Sequence, residues 1–243
     1  MNSYPAFLPA GDSALSVAFG DEINPEINAR IRALCDALAA KPIRGVRECV
    51  PTFRSLLVLY DPCRLGYDRL VQKLRTRLAA LGGAGQGSQR VFVIPVCYGG
   101  AFGEDLAFVA AHAGLTKEEV IRRHSAPDYL IYMLGFLPGF AYLGGLEPAL
   151  HTPRLANPRT GIPAGSVGIG GEQTGIYPLA SPGGWQLIGR TPVRPYDSAR
   201  AEPILYGAGD FIRFAPVTEQ EYVQLEQKQA AGGTIWEVRQ GCV

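Results

Sequence analysis

The sequence predicts a small α+β domain followed by a mainly β, barrel-forming domain, and three observations carry that prediction. The first eighty residues alternate short β-branched or aromatic runs with two stretches of helical periodicity. A segment with the composition of a flexible connector follows, Gly82-Gly83-Ala84-Gly85-Gln86-Gly87-Ser88. Finally, thirteen of the thirty glycines fall between Gly135 and Pro192, among prolines and short apolar runs. Glycine permits positive φ and close main-chain approach, and proline fixes φ and removes a donor, so this run specifies short strands joined by tight turns. The boundary is placed between residues 84 and 85, giving domains 1–84 and 85–243.

Taken in order, Ala14 to Phe19 is a short apolar strand, and Asn24-Pro25 supplies an N-cap with proline in the first helical turn. Ile27, Ile31, Leu34 and Leu38 then recur at helical spacing. Val46 to Val50 and Phe53 to Tyr60 read as strands around Pro51-Thr52, and Tyr67 to Leu81 returns to a helical period through Leu70, Leu74 and Leu78. Beyond the connector, Val91 to Val96 is a continuous apolar strand. Two short helices follow, Glu104 to Ala113 and Lys117 to His124, the second opened by a Thr116/Glu119 capping-box pattern. Tyr129 to Leu134, Ser166 to Ile169, Thr174 to Tyr177 and Gln186 to Gly189 read as barrel strands, with Phe211 to Phe214 closing the barrel. Thr218 to Lys228 is a capped terminal helix, and Thr234 to Val238 is a last strand. There is no internal repeat.

Composition excludes several classes. A net charge of +1 over 243 residues leaves no basic footprint for nucleic acid or for an anionic membrane surface. No stretch approaches the ~20 apolar residues of a membrane span, and the N-terminus lacks a charged region followed by an apolar core, so a cytoplasmic location is expected. Cys35, Cys49, Cys63, Cys97 and Cys242 are odd in number, widely spaced and without a C-x-x-C pair. They predict reduced thiols rather than a disulfide framework or a zinc site.

The short local motifs are weak. The α-helical pair between Leu106 and His124 has the outline of a helix-turn-helix, but Lys117 is followed by Glu118 and Glu119, which suits an ordinary helical hairpin better than a DNA-reading helix. Ala164-Gly165-Ser166-Val167-Gly168 approaches the G-x-S-x-G nucleophile elbow. The chain's histidines, His112, His124 and His151, all precede Ser166, so it is read as a turn serine. Gly168-Ile169-Gly170-Gly171 lacks the βαβ context of a dinucleotide fingerprint, and no G-x-x-x-x-G-K-[ST] occurs. No metal site is expected.

The polar residues of the Gly/Pro run are better candidates. Arg154, Arg159 and Arg190 carry guanidinium forks suited to a carboxylate or phosphate. Gln173, Tyr177, Ser181 and Trp185 add donors and a stacking face. His124 ends its helix, where the dipole favours the imidazolium and suits acid or base work.

Longer strings identify a family. GFLPGFAYLGGL at 135–146, IPAGSVGI at 162–169 preceded by Pro158-Arg159, and QTGIYPLASPGGWQLIGRTP at 173–192 resemble the KipI/PxpB family, also called allophanate hydrolase subunit 1 or carboxyltransferase subdomain C and D. FLPAGDSAL at 7–15, VPTFRSLLVLYDP at 50–62 and IPVCYGGAFGEDL at 94–106 extend the resemblance over nearly the whole chain. It implies an α+β N-terminal domain and a cyclophilin-like barrel. In function it implies the B subunit of an ATP-dependent 5-oxoprolinase that opens 5-oxo-L-proline to L-glutamate. The partners would be a C subunit similar to allophanate hydrolase subunit 2 and an A subunit of the LamB/YcsF kind, and the chain alone would be inactive. Two other branches imply an inhibitor of a sensor histidine kinase and a biotin-dependent carboxyltransferase related to urea carboxylase. Set on this sequence, the expected roles are ligand gripping by Arg159, Gln173, Tyr177 and Arg190, acid–base work by His124, and pocket walls from Pro138, Phe140 and Trp185. ATP is expected at the level of the complex, away from any P-loop in this chain.

Overall fold

The computed structural model describes residues 4–81 and 90–240. Contacts divide the chain into two compact units, residues 1–87 and 88–243. The connector read at Gly82–Ser88, the boundary drawn within it and Cys242 lie outside the described residues.

In the first unit, β1 (Ala6–Pro9), β2 (Ala14–Ala18), β3 (Val46–Pro51) and β4 (Ser55–Tyr60) form an antiparallel sheet in the order β1-β2-β4-β3. Helix α1 (Pro25–Ala40) begins as its sequence dictates: the Asn24 side chain accepts from the backbone N–H of Glu26 and Ile27, and Pro25 needs no partner. Helix α2 (Tyr67–Ala80) follows β4. Alternation along β2 and β4 turns Leu15, Val17, Leu56 and Val58 to one face, where Ile31, Leu34, Leu70 and Leu74 of the helices cover them. Strand β1, which has only four residues including a proline, was not anticipated from the sequence.

The second unit is mainly β. Strands β5 (Arg90–Tyr98), β6 (Tyr129–Leu134), β7 (Ala141–Gly144), β9 (Ser166–Gly170), β10 (Gln173–Ile176), β12 (Gln186–Arg190) and β13 (Phe211–Val217) run in the order β10-β9-β12-β5-β13-β6-β7, with β14 (Glu237–Gln240) also pairing β5. Strands β7 and β10 come back alongside one another, so the sheet is nearly closed and barrel-like. Strand β13 therefore lies mid-sheet, parallel to β5, rather than closing the barrel as its position in sequence suggested. The interior is largely apolar, with Ile94, Val96, Ile131, Val167, Ile188 and Phe214 all buried. A separate two-stranded ribbon, β8 (Arg159–Ile162) with β11 (Ser181–Gly183), lies outside this sheet.

Helices α3 (Leu106–Ala113) and α4 (Lys117–Ser125) form a hairpin around Gly114, whose φ of 67° places it in the left-handed region that favours glycine. Thr116 caps α4 by accepting from the N–H of Glu119, but the Glu119 carboxylate binds Arg122 and Arg123 instead of completing a capping box. Helix α5 (Glu219–Ala230) has the full box, with Thr218 and Glu221 exchanging bonds. No helix among the described residues is long and apolar enough to cross a membrane.

Candidate functional site

The Gly/Pro-rich run builds the outer face of β9, β10 and β12. In an extended strand alternate residues share a face, so Ser166, Gly168 and Gly170 point outward while Val167 and Ile169 enter the core. On this outer face Trp185 packs with Phe140, Tyr177, Ile162 and Leu187. The rings meet edge to face, Phe140 to Trp185 at 5.6 Å and Tyr177 to Trp185 at 5.9 Å between centroids. The indole explains the glycine at position 170: a Cβ there would lie 2.3 Å from two of its ring atoms. Three residues expected to wall a pocket or grip its ligand are thus brought together, but as a buried cluster. Burial also pushes the Tyr177 phenol up.

Around the cluster the polar candidates separate. Pro138 is exposed on the turn between β6 and β7, and Gln173 is half-buried at the β9–β10 hairpin, at the opposite end of β10 from Tyr177. Arg154 is exposed and stands over the Trp185 ring at 5.9 Å. Phe136 was missed by sequence reasoning. It is 62% exposed, has a φ of 67°, and touches Phe140 edge-on at 5.5 Å. A bulky residue in the left-handed region is a strained exception. The signal in sequence was an aromatic set directly after Gly135 in a turn.

Arg159 is fully engaged. Its Nη2 donates to Asp105 Oδ1 and Oδ2 at 2.8 and 2.9 Å, its Nε lies 3.0 Å from Glu104 Oε1, and its Nη1 donates to the Trp185 carbonyl at 3.3 Å. Asp105 Oδ2 also accepts from the Leu187 N–H at 2.6 Å. Asp105 consequently gives no side-chain cap to α3, because its carboxylate ties that helix start to β12 and β8. The guanidinium expected to grip a ligand is neutralised by two carboxylates of its own fold.

His124 departs further from its expected role. It is wholly buried, stacked on Phe214 at 4.7 Å, with Nδ1 2.8 Å from the Tyr98 hydroxyl and Nε2 2.7 Å from Thr174 Oγ1. Thr174 donates its own hydrogen to the Gly168 carbonyl at 3.0 Å. Its oxygen must then accept from His124 Nε2–H, which leaves Nδ1 to accept from Tyr98. Burial lowers the imidazole to about 3. Desolvation outweighs the helix-end dipole, and the ring is a neutral link in an internal chain, without contact to solvent.

Arg190 is different again. It pairs directly with Ser166 of β9 on one side and with Cys97 of β5 on the other, so the three side chains share the outer face with Cβ separations of about 4.5–5.5 Å. Its guanidinium lies 5.9 Å from the Phe102 ring, and Phe102 packs on Tyr222 of α5 at 4.6 Å. The Arg190 side chain makes no hydrogen bond or ion pair among the described residues, and its Nε is shielded from solvent. Ser166 is completely buried with an unpartnered Oγ. A buried polar atom without a partner costs about 1–3 kcal/mol, so two on paired residues require a reason. A cavity of about 210 Å³ against α5 is lined by Gly165, Thr191, Arg194, Tyr222, Glu226 and Gln229, with neither Arg190 nor Ser166 in its wall. In the first unit a groove of about 740 Å³ has its arginines occupied, Arg54 by the Asp21 carbonyl and Arg75 by the Phe7 ring. Ser166 is no elbow nucleophile: it lies within a strand, and no histidine among the described residues faces it.

Known proteins resemble the chain over most of its length. The model of the carboxyltransferase domain, subdomain C and D, matches residues 5–206. The B subunit of the 5-oxoprolinase of Bacillus subtilis is 42% identical over 87% of this chain and 92% of its own, and that of Haemophilus influenzae is 51% identical over 70% and 79%. Among solved structures, TTHA0988 is 42% identical with a TM-score of 0.75; the match covers 84% of this chain but only 40% of that longer one. The urea carboxylase of Kluyveromyces lactis shares the fold, with a TM-score of 0.80 at 22% identity over 97% of this chain and 24% of its own.

Proposed function

The chain belongs to the carboxyltransferase subdomain C and D family, and on that premise we propose that it is the B subunit of a heteromeric, ATP-dependent 5-oxoprolinase converting 5-oxo-L-proline to L-glutamate. The observation that carries this reading is 42–51% identity, over most of both chains, to proteins named as the B subunit of 5-oxoprolinase. The resemblance to urea carboxylase supports a common fold and gives carboxyl transfer no preference, and nothing among the described residues favours a sensor-kinase inhibitor. The working unit includes a C subunit and an A subunit, in the cytoplasm, and this chain alone is inactive. We read its second unit as the cyclophilin-like domain of the family and place the domain boundary at residues 84 and 85.

Chemistry assigns the chain a binding role within that complex. Opening a lactam at the expense of ATP calls for donors aimed at developing negative charge and for a cation facing the substrate carboxylate. His124 and Arg159 are both occupied by the fold, so they act by holding the β9–β12 face in shape. Arg190 remains for the ligand, with Phe136, Pro138, Arg154 and Gln173 on the accessible rim and Phe140, Tyr177 and Trp185 as the rigid layer beneath. ATP supplies the driving force at the level of the complex, and this chain carries no P-loop sequence for it.

The test is reconstitution. The three subunits are co-expressed and 5-oxoproline-dependent ADP release is measured with each omitted in turn. Release that needs all three is expected; a folded three-subunit complex without release would overturn the assignment.

A further inference from the structure

We infer that the turn between β6 and β7, with Phe136 at its tip, is an anchor that seats in an apolar pocket of the C subunit; the inference rests on the function proposed above. Two unfavourable features coincide at Phe136. Its ring is 62% exposed, more than any other large apolar side chain among the described residues. Its φ of 67° makes it the one non-glycine residue with a positive φ among those described. Across it the Leu137 N–H donates to the Gly135 carbonyl at 2.8 Å, a γ-turn of the rare, strained hand. An exposed phenylalanine is ordinary by itself. One held in strained backbone gives the free chain neither burial nor relaxed geometry, although glycine at the same place would relieve the strain.

The turn is braced so that the ring stays out. The Gly135 N–H donates to the Phe140 carbonyl at 3.2 Å, and the Phe140 N–H to the Leu137 carbonyl at 3.0 Å. From the side, the Tyr206 hydroxyl donates to the Gly139 carbonyl at 3.0 Å. Phe140, 2% exposed in the Trp185 cluster, supports the Phe136 ring edge-on at 5.5 Å. A ring preset in this way loses little conformational freedom when a partner covers it. The tip also selects the partner's chemistry. No charged residue occurs from Tyr129 to Leu146, and the other exposed side chain of the turn is Pro138. A carboxylate finds no cation there, whereas an uncharged aromatic anchor suits the core of a protein interface. Two relatives point to which protein. The match takes in 92% of the B. subtilis chain, but more than half of TTHA0988, at 42% identity, lies outside it. The same unit therefore occurs by itself and joined to a further polypeptide, and what is joined covalently in one relative is the natural partner in the other. We read that further polypeptide as the counterpart of the C subunit.

Titration calorimetry of the full chain with its C subunit, and of the full chain alone with 5-oxo-L-proline, tests the anchor. Phe136→Ser is expected to weaken association with the C subunit about tenfold or more, and Phe136→Leu less. Phe108→Ser, at a half-exposed ring on α3, should leave association unchanged. Phe136→Gly separates a ring kept for a partner from one kept for the fold. It should weaken association as Phe136→Ser does, with the thermal midpoint of the free chain unchanged or raised, because glycine accepts the positive φ. A lower midpoint with association unchanged would make the ring structural and overturn the inference. So would wild-type association in Phe136→Ser, or equal weakening by Phe108→Ser. Self-association of the chain that Phe136→Ser abolishes would assign the ring to a second copy instead. Weaker 5-oxo-L-proline binding in Phe136→Ser, with association intact, would make it a ligand wall. The proposed function fails separately: a three-subunit complex that needs Phe136 to assemble but releases no ADP refutes the enzymatic reading and leaves the interface standing. A wild-type chain that forms no complex with the C subunit overturns both.

Discussion

The two ends of the outer face of β9 are built from the same glycine-rich sequence and end in opposite states. At Gly168 and Gly170 the strand is stripped of side chains so that the Trp185 indole can lie on it, with Phe140 and Tyr177 closing around the ring. At Ser166, one alternate position or roughly 6–7 Å back along the strand, nothing comparable arrives. A buried hydroxyl and a guanidinium Nε are left without partners. Packing fills the first end around the indole, although the Ser181 hydroxyl opposite Ile162 is also unpartnered, and leaves two polar atoms unpartnered at the second. A motif-rich segment is therefore not uniformly packed: aromatic rings fill one end of the face, and a polar pair stands without partners at the other.

The largest effect should come from the packed end. Trp185→Ala removes a 5% exposed indole from the centre of the cluster and is expected to cost about 3–5 kcal/mol in urea unfolding. Gly170→Ala should cost about 1–3 kcal/mol by forcing a methyl into the ring. A cost below about 1 kcal/mol for Trp185→Ala would make the indole a ligand wall and dissolve the contrast.

The two arginines sharpen it. Arg159→Gln strands Asp105 and part of Glu104 without their cation and should destabilise by about 2–3 kcal/mol, somewhat less than a fully buried pair because the site is partly open. Arg190→Gln breaks no bond and should stay within about 1 kcal/mol of wild type while abolishing turnover of the complex. The reverse pattern would exchange their roles.

An effect that is absent at pH 7 tests the interior. His124 has its imidazole lowered from 6.5 to about 3 in the folded chain, so the unfolded chain binds a proton first as pH falls. The stability is fully present above about pH 6.5 and is lost progressively as pH drops toward 3. Urea midpoints at pH 7, 5 and 4 should fall in that order, and His124→Asn should flatten the part of the decline below pH 6.5. An unchanged slope in the variant would show that His124 is not the group being charged.

Much of the fold was legible because it rests on local rules. The Asn24-Pro25 and Thr218/Glu221 caps, the helical repeat of α1 and the apolar run of β5 all appear where pattern and capping chemistry put them. Strands β1, β7, β8 and β11 were missed because they have only three or four residues, too few for a period to show. The place of β13 depends on a long-range parallel pairing with β5 that sequence order does not reveal. For the site, residue type pointed to the right segment but not to the state of each residue. Nothing near Arg159 in sequence announces that Asp105, 54 positions away, will take its Nη2. Nothing around His124 shows that Tyr98 and Thr174 will fill both ring nitrogens. Such pairings are tertiary, and they decide whether a polar side chain is free to act.

The smallest effect discriminates most finely between the two ends. If the Ser166 hydroxyl has no partner in the free protein, Ser166→Ala removes a desolvated polar atom and leaves a methyl that fits the same space. Alanine forms strands slightly less well than serine, a few tenths of a kcal/mol at most. Relief of the unpaired hydroxyl acts in the opposite direction. The net change in urea unfolding should lie between zero and about 1 kcal/mol of added stability. A loss of more than about 1 kcal/mol would instead mean that the hydroxyl is already satisfied, by bound water or by a neighbour, and that the Ser166 end of β9 is as fully used by the fold as the indole end.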